Sequence, residues 1–162
     1  MSTIYAVIIS LVACALAASL EGLCAGRNVR SFFATLRFPP YSAPLWVWSL
    51  IGGVYYIIFG FVLFRLLKLT AESTLKYAAI TLMLFMISAN ALTNYIIFRA
   101  RNLRLSFIIG LLFPAMDVAL FVCLIQLNRI AAWALVPYLL YRIYAVWWGF
   151  ALWKRNKTRQ QG

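Results

Sequence analysis

The chain has 162 residues, 65% of them hydrophobic and only 11% charged, with a net charge of +12. An ordinary soluble domain uses fewer apolar residues and about a quarter charged ones, so that class is excluded. Several apolar runs near the ~20 residues a spanning helix needs indicate instead one polytopic membrane domain.

The predicted elements form an all-α membrane protein, a five-transmembrane-helix bundle over residues 1–153 with a polar cytoplasmic tail over 154–162. The first span covers about 3–25. No Lys or Arg precedes it, so the basic region of a signal peptide is missing. Glu21 stands near its end, and Gly22 and Gly26 have the GxxxG spacing that permits close helix approach. A cap loop follows over 27–44. From Phe32 to Trp48 the chain reads FFATLRFPPYSAPLWVW, with six aromatic residues and with Pro39, Pro40 and Pro44. Proline removes a backbone donor and pushes its predecessor toward extended geometry. The stretch is therefore expected to be a stiff, non-helical lid at one membrane face, over the mouth of whatever the helices enclose. The second span covers about 43–66, the third 75–98, the fourth 105–127 and the fifth 131–153.

The basic residues sit in the connections and the tail, where they serve topology and anionic lipid headgroups. No soluble module exists to carry nucleic acid, so the expected surrounding is the lipid bilayer alone. Five spans alternate the connections between two sides. One side receives Arg27, Arg30, Arg37, Arg99, Arg101, Arg104, Lys154, Arg155, Lys157 and Arg159; the other receives Arg65, Lys68, Lys76 and Arg129. The richer side is the cytoplasmic one. It holds the lid and the C-terminus, with the N-terminus opposite.

Few residues could carry chemistry. Histidine is absent, and Cys14, Cys24 and Cys123 have no paired-ligand spacing, so no metal site and no His-dependent nucleophilic mechanism is expected. No carboxylate dyad is present, so no catalytic residue is assigned. Asp117 and Arg142 lie at similar depth in the antiparallel fourth and fifth spans. An unpaired charge there costs several kcal/mol, so the two are expected to interact, either as a staple between helices or as the polar floor of a cavity. Pro114, one turn earlier, is expected to kink the fourth span. Asn90 and Asn94 share a face of the third span, as interhelical glue or as lining of a site. The chemistry such a chain supports is binding in an apolar, aromatic-lined cavity.

These residues resemble the translocator protein family, also called tryptophan-rich sensory proteins or peripheral benzodiazepine receptors. The family's first loop reads close to W-Y-x-x-L-x-K-P-x-W-x-P-P-x-W-V-F; here Leu36, Pro39, Pro44, Trp46 and Val47 fall on pattern positions. Asn90 and Phe98 match the third helix, and Pro137, Tyr138, Leu139, Ala145 and the Trp153–Asn156 ending match the fifth. Gly52 and Thr93 stand where the family has pocket tryptophans, and should enlarge or reshape the cavity. The resemblance implies a homodimeric receptor or sensor that binds tetrapyrroles such as protoporphyrin IX, as ligands rather than cofactors, or other flat hydrophobic molecules, with their transport left open. Benzodiazepine-type drugs are further family ligands, and sterols bind animal members; a loose sterol pattern is present at Val136, Tyr138 and Arg142. The ligand-binding residues it implies are Pro39, Tyr41, Pro44, Trp46, Trp48, Gly52, Asn90, Asn94, Tyr138, Tyr141, Ala145 and Trp148. Light-dependent porphyrin degradation, small-molecule transport and a purely structural adaptor are the alternatives.

Overall fold

A computed structural model describes residues 1–157. Its seven helices are α1 (Thr3–Ala25), α2 (Val29–Thr35), α3 (Leu45–Lys68), α4 (Thr74–Phe98), α5 (Leu103–Gly110), α6 (Phe113–Leu127) and α7 (Arg129–Asn156). With α5 and α6 taken as one span, five segments are long and apolar enough to cross a membrane. The protein is an integral, multi-pass membrane protein. Arg159 and the rest of the tail beyond Lys157 lie outside the described residues.

Polar residues start four of the five spans. Ser2, Ser73, Asn102 and Asn128 accept hydrogen bonds from Tyr5, Lys76, Leu105 and Ala131 N–H groups, satisfying donors that a helix start leaves open. In the interior, α1 packs on α3 and α4, α4 on α6, and α7 on α3 and α6. The five spans therefore close into a ring.

Four expectations need correction. The lid is not wholly non-helical: Val29–Thr35 forms α2, because no proline occurs before Pro39. The chain leaves helical geometry at Leu36, whose φ is −85° and ψ 144°. The second span begins at Leu45 rather than residue 43, since Pro44 is its extended N-cap. The fifth runs on through Lys154 and Arg155, because Asn156 is tied to the lid. The fourth span is interrupted rather than bent. Pro114 has no N–H to give the Gly110 carbonyl, and the chain tightens at Leu111 and Leu112, where Leu112 N–H donates to Ile109 at 3.0 Å.

Packing differs between the two ends of the ring. Away from the lid, Phe59, Val62 and Leu66 of α3, Ala79, Met83 and Met86 of α4, Leu120 and Leu124 of α6 and Leu135 of α7 form a continuous buried core. Toward the lid the helices diverge around an empty space.

Candidate functional site

That space is a cavity of about 370 Å³. Each wall is one helix face read at helical spacing. From α3 come Leu45, Trp48, Ser49, Gly52 and Tyr55; from α7, Tyr138, Tyr141, Arg142, Ala145, Trp148, Gly149 and Leu152. Asn90, Thr93, Asn94 and Phe98 of α4 form a third wall, and Phe107 and Phe113 of the interrupted span a fourth. Glu21 of α1 completes the side, and Val29 and Phe33 of α2 lie at the roof. The rings are mutually packed: Trp48 and Trp148 lie 4.5 Å apart between centroids, Phe33 stacks on Phe98 at 5.9 Å, and Tyr55 meets Tyr138 at 5.2 Å. Gly52 has no atom within 4 Å of where a Cβ would stand, so its missing side chain leaves open volume.

The lid is fastened to α7 by hydrogen bonds from α7 side chains, most of them to the lid's main chain. Arg37 N–H donates to Asn156 Oδ1 at 3.0 Å, and Asn156 Nδ2 donates to the Arg37 carbonyl at 3.0 Å. The Tyr144 hydroxyl accepts from Ala43 N–H and donates to the Tyr41 carbonyl, at 3.2 and 3.0 Å. Trp148 Nε1 donates to Ser42 Oγ at 2.8 Å, so one indole is both cavity wall and lid anchor. Trp48 Nε1 donates to the Ala43 carbonyl at 3.0 Å.

Polar groups converge at two points. Arg142 Nε donates to Asp117 Oδ2 at 2.7 Å, with Asp117 1% exposed behind the cavity wall. The guanidinium also meets the Tyr138 hydroxyl and lies over the Phe113 ring at 4.5 Å. On the opposite side, Asn90 Nδ2 donates to Glu21 Oε1 at 2.6 Å and Asn94 Nδ2 to Glu21 Oε2 at 3.3 Å. Both asparagines are therefore engaged across helices, and their partner is itself a cavity residue. Among the described residues no cluster of three metal-ligating side chains occurs.

Of the sequence-predicted residues, Trp48, Gly52, Asn90, Asn94, Tyr138, Tyr141, Arg142, Ala145 and Trp148 line this cavity, and Asp117 supports it from behind. Trp46 does not: it is 68% exposed, because two residues carry it about 200° round α3 from Trp48. Tyr41 is 90% exposed, and with Pro39 and Pro44 it borders a shallow groove on the outer side of the lid. Pro39, Tyr41 and Pro44 shape the lid without lining the cavity. Sequence reasoning missed Phe33, Tyr55 and, above all, the role of Glu21. An ionisable residue inside an apolar span is a functional candidate by default, and that signal would have found it.

The TspO/MBR family model matches residues 9–154 of this chain. The chain is also 27% identical, over 133 residues, to the Translocator protein of Ovis aries, across 81% of this chain and 78% of that protein.

Proposed function

The chain belongs to the TspO/MBR family, and from that premise we propose that it is a membrane receptor or sensor taking a flat, largely apolar ring ligand into the chamber beneath its lid. The observation that carries this reading is the chamber itself: about 370 Å³, walled by packed aromatic rings and roofed by a hydrogen-bonded lid. Ligand sites are concave and mostly apolar with a few convergent polar groups, and this one has that make-up. Aromatic faces favour offset stacking on a planar ring. Tetrapyrroles are the ligand class the family suggests. Their carboxylates would stay at the basic rim, near Arg30 or Arg37, since among the described residues the interior offers no unpaired cation for them.

The lid side is read as cytoplasmic from its excess of Lys and Arg. The homodimer implied by resemblance belongs to the same proposal, and crosslinking in native membranes tests it. Binding itself is tested by titrating the detergent-solubilised protein with protoporphyrin IX. Wild type should give a saturable Soret shift and tryptophan quenching, and Trp48→Ala and Asn94→Leu should each weaken it. No shift beyond that in detergent alone overturns the reading.

A further inference from the structure

We propose that, among flat ring ligands, this chamber favours those that carry a protonated amine, and that the Glu21 carboxylate is the group that receives it. The inference rests on the ligand-binding reading above and specifies its chemistry. Among the described residues two charged side chains line the cavity, Glu21 and Arg142. Arg142 is already neutralised, with its Nε 2.7 Å from Asp117. Glu21 is not held that way. Its two oxygens are held by the neutral amides of Asn90 and Asn94, at 2.6 and 3.3 Å, and those amides orient the carboxylate without cancelling its charge. The Tyr56 hydroxyl, whose oxygen is out of reach of solvent, lies beside the same group as a further neutral donor to it. A carboxylate accepts about four hydrogen bonds, so capacity remains for one more donor from the chamber that Glu21 lines.

The aromatic walls add to the preference. Trp48, Tyr55, Tyr141 and Trp148 present rings to the same space, and ring faces attract cations by about 0.5–2 kcal/mol depending on desolvation. A carboxylate set in an aromatic enclosure is the recognition chemistry of an alkylammonium group. It disfavours an anion at the same depth, because among the described residues no cation inside the chamber is unpaired to receive one. The preferred ligand is thus a planar apolar ring bearing a short cationic arm. A ligand with carboxylates could enter only with those groups pointing back to the rim.

Three pyrene derivatives of nearly equal shape test this in nanodiscs of zwitterionic lipid, with empty nanodiscs as the partition blank. They are 1-pyrenemethylamine, 1-(hydroxymethyl)pyrene and 1-pyrenecarboxylate, followed by energy transfer from protein tryptophan. Wild type should bind the amine at least about tenfold more tightly than the alcohol, and the carboxylate more weakly than either. Glu21→Gln keeps the shape and one acceptor oxygen for the asparagine amides while removing the charge, and should bring the amine-to-alcohol ratio to about one. Glu72→Gln, at the far end of the bundle, should leave the ratio as it is. A wild-type ratio near one, a preference for the carboxylate, or a ratio that survives Glu21→Gln overturns the inference while the alcohol's binding keeps the receptor reading intact. If none of the three binds beyond the blank while protoporphyrin IX does, this inference is overturned and the receptor reading stands; if protoporphyrin IX fails to bind as well, the receptor reading fails with it. Should Glu21→Gln not fold, the three-way comparison on wild type decides alone.

Discussion

Trp46 and Trp48 differ by two positions and point to opposite environments. Trp48 stacks against Trp148 and Tyr144 at the cavity wall, whereas Trp46 faces outward from α3. Trp48→Ala should therefore lower porphyrin affinity by tenfold or more, while Trp46→Ala should leave it within about twofold, as fluorescence titration would show. The alternation is legible in sequence, since residues two apart never share a helix face. Which of the two looks inward is not, because it depends on where α7 lies. Tyr41 carries a different constraint. Its φ of 64° is left-handed, a region a bulky side chain enters at a cost of about 1–2 kcal/mol, and its side chain is in the open. Tyr41→Gly should raise the thermal midpoint of the detergent-solubilised protein and leave ligand affinity unchanged. A loss of affinity would mean the ring reaches the ligand after all.

At the scale of elements, the α3–α4 connection and the lid are held by different means. Glu72 accepts from the Tyr77 hydroxyl and from Lys76 Nζ, the latter at 3.0 Å, and Lys76 also caps the Leu69 carbonyl from a buried position. The Tyr77 hydroxyl, and secondarily Lys76, hold the Glu72 carboxyl below its ordinary value of 4.5. A carboxyl depressed in the folded state contributes stability above its unfolded pKa. That contribution is lost as pH falls through the lower folded value. The group is exposed, so the effect is small. Wild type should melt slightly above Glu72→Gln at pH 7, and the two melting curves should converge below pH 4. The lid depends instead on Asn156, whose amide group closes two hydrogen bonds on the Arg37 backbone. Asn156→Leu leaves both Arg37 groups without that partner. Amide exchange over residues 36–44 should speed up by an order of magnitude or more, with the exchange of α3 and α4 unchanged. The stiff lid was readable from its prolines. The helix within it and its attachment to α7 were not, because the partner residue lies 119 positions away.

At the scale of the molecule, the ring is solid at one end and hollow at the other, and the sequence marks that division only in part. The count of spans follows from hydropathy, and the Asp117–Arg142 contact follows from equal depth in adjacent antiparallel helices. Glu21 meeting Asn90 and Asn94 does not follow, because it requires knowing that α1 closes the ring against α4. The hollow itself traces to small residues. Gly52 faces open space and Thr93 is the short side chain across from it on the α4 wall. An unfilled interior forfeits the dispersion contacts that close packing gives, so a fold selected for stability alone would fill it. Gly52→Trp supplies an indole to that volume and replaces a glycine that costs a helix about 1 kcal/mol. It should raise the thermal midpoint by several degrees and lower the affinity for protoporphyrin IX at least tenfold. The neighbouring Gly53 is exposed on the outer side of α3, and Gly53→Trp should leave affinity unchanged. Stability and binding moving in opposite directions at residue 52, and only there, would mean the empty volume is kept for a ligand. A Gly52→Trp protein that is more stable and binds as before would place the ligand elsewhere.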